Sequence, residues 1–235
     1  MDPSIGLQYS LATPHCNVFD SKSTIRPCNR VMHTDTPTAD EIEQVKSFFG
    51  SRPFSWAVEE HDAQVRTLLE AHQLSTRFSF PAMGIELDLL QDQPCKASCT
   101  VRKVDVNNDQ ELTTFANIMA ASFTADASQV AVVMHTLMRK AIPNSLRLYL
   151  GYYKDEAAAV GMSLQHGSVV TLHWIGTLPA YRRKGLASAI SYTALVDARN
   201  AGWQNAYLLA SEAGKPLYER MGFKEYARYT MYCNY

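Results

Sequence analysis

The stretch Thr177-Leu-Pro-Ala-Tyr-Arg-Arg-Lys-Gly-Leu-Ala187 limits what this chain can fold into more than any other feature. It follows a β-branched run, Ser168 to Thr177, and opens an apolar-periodic segment, about Lys184 to Ala201, closed by Gly202. That order reads as strand, tight turn, helix. A turn carrying Arg182, Arg183, Lys184 and Gly185 at the head of a helix is an anion site. The first N–H groups of a helix have no internal acceptor, and the helix dipole adds positive potential there. Gly185 lets a ligand approach the backbone, and the small Ala187 and Ser188 leave the first turn open. The three basic side chains can meet outer phosphates, so a pyrophosphate is the natural guest. The dinucleotide fingerprint needs three glycines where one stands here, and a P-loop needs Gly-Lys-Ser/Thr where Gly185-Leu186-Ala187 stands.

Around this turn the pattern is α/β. Residues 1–35 show no periodicity and read as an irregular arm. Thr38 with Glu41 makes a capping-box spacing, followed by Ile42, Val45, Phe48 and Phe49 at helical intervals as far as Gly50. A strand (Phe54 to Val58), a helix from about Asp62 and an alternating strand (Met83 to Leu89) complete a small part, residues 36–94. The polar break Gln91 to Pro94 separates it from a second part, residues 98–235. That part reads as a strand from Cys99 to Val104 and two helices, about Asp109 to Ser122 and Ser128 to Ile142. Two strands follow, Arg147 to Tyr153 and Ala157 to Leu164, joined through Lys154-Asp155-Glu156 as a hairpin. After the strand, turn and long helix come a strand (Ala206 to Ala210), a short helix (Lys215 to Met221) and a last strand (Phe223 to Tyr232). The order helix, strand, helix, strand recurs in residues 39–90 and 184–232, so the first part reads as a truncated copy of the second half.

Composition narrows the function. At 235 residues and 46% hydrophobic, the chain has ample material for a core. A formal net charge of −1 gives no general attraction to nucleic acid or an anionic membrane. No apolar run approaches the ~20 residues that span a bilayer, and the first residues lack the basic and apolar regions of a signal peptide. Five cysteines, an odd number, fit reduced thiols in a cytoplasmic protein. Cys95 and Cys99 have half the spacing of a zinc site, but no second pair completes it.

The segment LPAYRRKGLA, with Arg182-x-x-Gly185-x-Ala187 inside it, resembles the acetyl-CoA motif of the GNAT superfamily of N-acetyltransferases. Pro216-Leu-Tyr218-Glu-Arg-Met-Gly222-Phe223 is similar to that family's second signature, a short helix bearing a tyrosine and ending in Gly-Phe. The resemblance covers about residues 98–235. Pro53-Phe-Ser-Trp-Ala-Val58, the Leu68-Leu-Glu-Ala helix and Pro81-Ala-Met83 resemble an N-terminal extension found in some bacterial members as a degenerate partial GNAT fold.

The resemblance implies a mixed, mostly antiparallel sheet flanked by helices, binding acetyl-CoA as cosubstrate and moving its acetyl group directly to a primary amine. It implies that the amides of Arg183, Lys184, Gly185, Leu186, Ala187 and Ser188, with Arg182 opening the loop, hold the pyrophosphate. Main-chain groups of Ile175 and Thr177 would pair with the pantetheine as an added strand. Tyr218 falls at the position of the family's proton donor to the departing thiolate. Where many members place a glutamate base, eleven residues ahead of Arg182, this chain has Thr171. His173, two residues on and on the same strand face, stands at the spacing of a histidine in arylalkylamine acetyltransferases and is the candidate base, with Glu212 the next. No metal is required. The acceptor, a small molecule or peptide amine, is not identified, and the unit of function is a monomer or homodimer. Without a base, the alternative is a non-catalytic acyl-CoA-binding regulatory module.

Overall fold

A computed structural model describes residues 10–92, 98–140 and 145–234. The first stretch departs from the expected arm. Residues Leu11–Ala12 (β1), Cys16–Phe19 (β2) and Arg30–His33 (β3) are strands. They are too short for alternation to show in sequence, and polar side chains do the work of shaping the loop between them. Asn29, fully buried, donates through Nδ2 to the carbonyls of Ser23 and Pro53 and accepts from the Ser21 amide. Helix α1 (Ala39–Phe49) starts on the expected capping box, with Glu41 bonded back to the Thr38 amide. Then come β4 (Ser55–Glu59), α2 (Ala63–Ala71) capped by Asp62, and β5 (Ser75–Glu86), which starts eight residues before Met83, where alternation was expected to begin.

In the second half, β6 (Cys99–Lys103), α3 (Asp109–Phe123) and α4 (Ala127–Lys140) precede a hairpin of β7 (Leu146–Tyr153) and β8 (Glu156–His166). The hairpin turn is two residues, with Lys154 at φ 48° and Asp155 at φ 68°, the twist that suits antiparallel partners. After β9 (Val169–Thr177) come α5 (Leu186–Asn200), β10 (Asn205–Leu209), α6 (Lys215–Met221) and β11 (Lys224–Cys233).

By contact density the chain forms two compact units. One runs up to Pro81 and takes in the last strand from Ala227; the other is Ala82–Tyr226. The second unit thus begins at Ala82, ahead of the break read from sequence at Gln91.

In the first unit the strand order is β1-β2-β3-β4-β11, antiparallel except for β3 beside β4. Its core, Ile42, Val45, Trp56, Val58, Val65, Leu69 and Tyr232, joins one sheet face to α1 and α2.

In the second unit the order is β5-β10-β9-β8-β7-β6, antiparallel except for β10 beside β9. The strand segment Ala82–Glu86, read from sequence as part of the first domain, fills the place beside β10. One face packs on α5 through Leu186, Ala189, Ile190, Ala194, Leu195 and Ala198, the i, i+3, i+4 stripe of an amphipathic helix. Ile190 and Leu195 are fully buried, each worth about 1.5–3 kcal/mol of apolar transfer. Helix α3 packs on β8 and β9; Ser122 and Phe123 meet β9 at Gly176, whose face is opposite the Ile175 contact with α5. The sheet is mixed and mostly antiparallel with flanking helices, as expected.

Candidate functional site

The site is built on the outer half of β9. Its parallel pairing with β10 runs from Val169 to Leu172 and no further, so His173 to Thr177 lie beyond the last rung. On its other edge β9 pairs with β8 throughout, but with a bulge: Val160 faces Gly176 and Met162 faces His173, leaving Trp174 and Ile175 opposite Gly161. Trp174 takes φ 54°, the left-handed region that few non-glycine residues adopt. The extra residue resets the alternation. Leu172 belongs to the core under α5, and Ile175, three residues later, packs against that same core. A Cβ on Gly161 would stand 2.7 Å from Ile175 Cδ1 and 2.4 Å from Ile190 Cγ2, so only glycine admits both. His173 and Trp174, although adjacent, both face α3: Trp174 meets Phe123 edge-on at 5.2 Å, and His173 bonds to Thr171.

The expected anion turn closes this strand. Pro179–Tyr181 form a single 3-10 turn, Arg182 is extended, Arg183 has φ 64°, and Gly185, at the N-cap of α5, has φ 96°. Left-handed residues at this spacing aim successive N–H groups into one concavity. The Gly185 carbonyl accepts from Ala189, and the amides of Leu186, Ala187 and Ser188 precede the first intrahelical bond. Leu186, 1% exposed, anchors the helix start in the core.

The basic side chains divide. Arg182 and Arg183 are exposed, Arg182 donating through Nε to the Thr177 carbonyl at 3.3 Å. Lys184 is turned instead onto two rings, its Nζ 4.3 Å from the centre of Tyr153 and 4.9 Å from that of Tyr181. Sequence reasoning offered all three cations to phosphate; here Lys184 rests on aromatic neighbours distant along the chain. The turn is pinned from behind by Cys99, whose Sγ reaches the Lys184 carbonyl at 3.5 Å. Its suggested partner Cys95 lies outside the described residues.

Tyr218 sits on α6, between Pro216 at the helix start and Gly222 at its end. It is 7% exposed and packs edge-on against Phe223 at 5.7 Å. Burial pushes its phenol up to about 12, with the Ser191 hydroxyl of α5 pulling the other way. Among the described residues the buried hydroxyls of Thr177 and Ser191 make no hydrogen bond of good geometry, Ser191 lying close enough to act on the Tyr218 phenol but not aligned with it. Such orphans at the open end of β9 and beside Tyr218 suit a ligand that brings amides and a thioester past both, so the residues fit a pantetheine arm.

His173 is half-buried, its Nε2 2.8 Å from Thr171 Oγ1. Glu212 is exposed in the turn after β10. Sequence reasoning missed the bulge, the Thr171 bond and Ser191. A glycine inside the β-rich run at 161 was the one local sign of an irregular strand pair.

A mixed, mostly antiparallel sheet that opens beside a left-handed turn at a helix start is the arrangement of the acyl-CoA N-acyltransferase fold. The comparisons agree: residues 145–225 match the family model of the acetyltransferase (GNAT) domain, and the chain carries such a domain. A GCN5-related N-acetyltransferase from Kribbella flavida superposes with TM-score 0.73 at 17% identity, covering 96% of this chain and 88% of that one. Another from Sphaerobacter thermophilus gives 0.65 at 15%, covering 93% and 75%. A tandem GNAT protein from the clavulanic acid biosynthesis pathway gives 0.60 at 11%, covering 87% and 74%. At these identities the likeness is one of fold, and it takes in the first unit as well. No curated protein matches the sequence. Among the described residues, no helix is long and apolar enough to cross a membrane.

Proposed function

We propose that this chain is a cytoplasmic N-acetyltransferase that binds acetyl-CoA at the Arg182–Ser188 turn and passes the acetyl group directly to a primary amine. The observation that carries the reading is the turn itself: left-handed Arg183 and Gly185 at the head of α5, at the end of a strand that has parted from its neighbour. Backbone amides of Arg183 to Ser188 bind pyrophosphate, and Arg182 and Arg183 add charge from the rim. On the edge where pairing with β10 has ended, β9 offers main-chain groups of Ile175 and Thr177 to an extended, amide-bearing arm, which would take the Thr177 carbonyl from Arg182. Acetyl-CoA supplies a thioester, whose carbonyl is open to an amine and whose sulfur needs a proton on leaving.

Two side chains handle protons. Thr171 Oγ1 also lies 3.3 Å from the Leu164 carbonyl, which can only accept. The Thr171 hydroxyl thus ties His173 Nε2, 2.8 Å away, to the sheet and fixes the orientation of the ring. His173 is the base in this reading, since an imidazole can take a proton from an ammonium near neutral pH. Tyr218, kept protonated by burial, is the proton donor.

The test is calorimetric titration of acetyl-CoA into the full chain and into an Arg182→Glu, Gly185→Glu double variant, with thiol release followed over a set of amines. Micromolar binding lost in the variant, with turnover in the parent, supports the reading. Binding without turnover on any amine leaves an acyl-CoA-binding module, and no binding by folded parent sinks both.

A further inference from the structure

The strand face that carries His173 is bordered by apolar rings on both flanks. On one side Trp174 stands edge-on to Phe123 of α3 at 5.2 Å. On the other, Tyr207 is the register partner of Thr171, and Tyr226 meets it edge-on at 5.7 Å. Gly84 makes room for that ring, since a Cβ there would lie 2.7 Å from Tyr207 Cε1. Leu209 is two residues beyond Tyr207, on the same side of β10 and past its last pair with β9.

Exposure singles out this face. The described residues include seven exposed large hydrophobic side chains, and three of them are here: Phe123 at 42%, Leu209 at 39% and Tyr226 at 61%. Scattered single apolar side chains need no explanation, but a group of them around one polar side chain marks a ligand surface. The polar centre is the His173 imidazole, held by Thr171. The border offers ring faces and edges.

We infer that the acceptor is a primary amine carried on an aromatic or alkyl body, its ammonium at His173 and its apolar part between the Phe123–Trp174 and Tyr207–Tyr226 pairs. This rests on the acetyl-transfer reading of the same site. An amino sugar would set hydroxyls against the Phe123 and Trp174 rings and lose on desolvation what it gains in contact, and a polyamine would bury less apolar surface there than an aryl group does.

The experiment uses the full chain with 2-phenylethylamine, glucosamine and spermidine as probes, measuring acetyl-CoA-dependent rates and amine binding by calorimetry with CoA present. The expected result is a kcat/KM for 2-phenylethylamine at least about tenfold above the other two, as burying one ring allows. Phe123→Ala and Tyr226→Ala each raise its KM about fivefold, the scale of one aromatic pair, and leave the KM for acetyl-CoA unchanged. Both side chains are exposed, so both variants keep the fold, and Tyr226→Phe keeps the parent KM. A preference for glucosamine or spermidine, or a KM for 2-phenylethylamine unmoved by either truncation, overturns the acceptor class while acetyl transfer stands. If acetyl-CoA does not bind, acetyl transfer falls. Amine titration then decides this face alone: saturable 2-phenylethylamine binding weakened by both truncations supports it, and no binding overturns it.

Discussion

The Thr171 hydroxyl stands between the Nε2 of His173, 2.8 Å away, and the carbonyl oxygen of Leu164, 3.3 Å away. These two contacts hold the imidazole to the sheet in one orientation. Thr171→Val keeps the shape and removes both bonds. The expected outcome is a fall in kcat of about tenfold, less than the roughly 10²–10⁴-fold of a general base itself because His173 remains, with the KM for acetyl-CoA unchanged. Thr171→Ser restores most of the rate because it restores the oxygen. A valine variant with full kcat would reduce Thr171 to packing.

Tyr218 gives a different signature. With its phenol pushed up to about 12 by burial, it stays protonated well above neutral pH. Turnover should therefore show no alkaline loss from this group below about pH 10, the ordinary phenol value. The raised value also fixes a stability trend: the protonated form is favoured in the fold, so stability is full below about pH 10 and falls as pH climbs toward 12. Tyr218→Phe should lower kcat on the order of a hundredfold with acetyl-CoA affinity retained. Retained kcat in that variant would remove Tyr218 from the chemistry.

Much of this was legible in the sequence because it is local. The strand-turn-helix order, the cap pair Thr38 and Glu41, the stripe on α5 and the short helix carrying Tyr218 all follow from spacings within a dozen residues. What escaped depends on pairings distant in sequence. The side chain of Lys184 is turned by Tyr153, thirty-one residues earlier. The strand Ala82–Glu86 pairs with β10 across more than a hundred residues. The bulge at Trp174 arises only when β9 meets Gly161 on β8. Strands β1 to β3 escaped because two to four residues are too few to show a period.

Gly185 can be tested apart from charge. At φ 96° it holds a conformation that strains any other residue. Gly185→Ala should cost about 1–2 kcal/mol by that strain, lowering Tm by a few degrees in a chain of this length. If the turn reaches pyrophosphate through its backbone, calorimetry should also show at least about tenfold weaker CoA binding, equivalent to ~1.4 kcal/mol. Lost stability with unchanged CoA affinity would place the anion elsewhere.

Gly161 gives a structural prediction with a catalytic consequence. Glycine there lets Ile175 and Ile190 meet across the sheet, and the bulge that turns His173 and Trp174 to one face is opposite this position. Gly161→Ala would bring a methyl to 2.4 Å from Ile190 Cγ2, so α5 or β9 has to move. Overpacking of this kind costs about 1–3 kcal/mol, seen as a lower denaturation midpoint. Because β9 is bonded to β8 on the side of the intrusion, His173 should move with it, and kcat should fall further than acetyl-CoA affinity. Combining Gly161→Ala with Ile175→Val removes one of the clashing methyls, the Ile175 Cδ1. Partial recovery of both stability and kcat in the double variant would show that a single contact sets both. Recovery of stability without kcat would separate the bulge from the placement of the base.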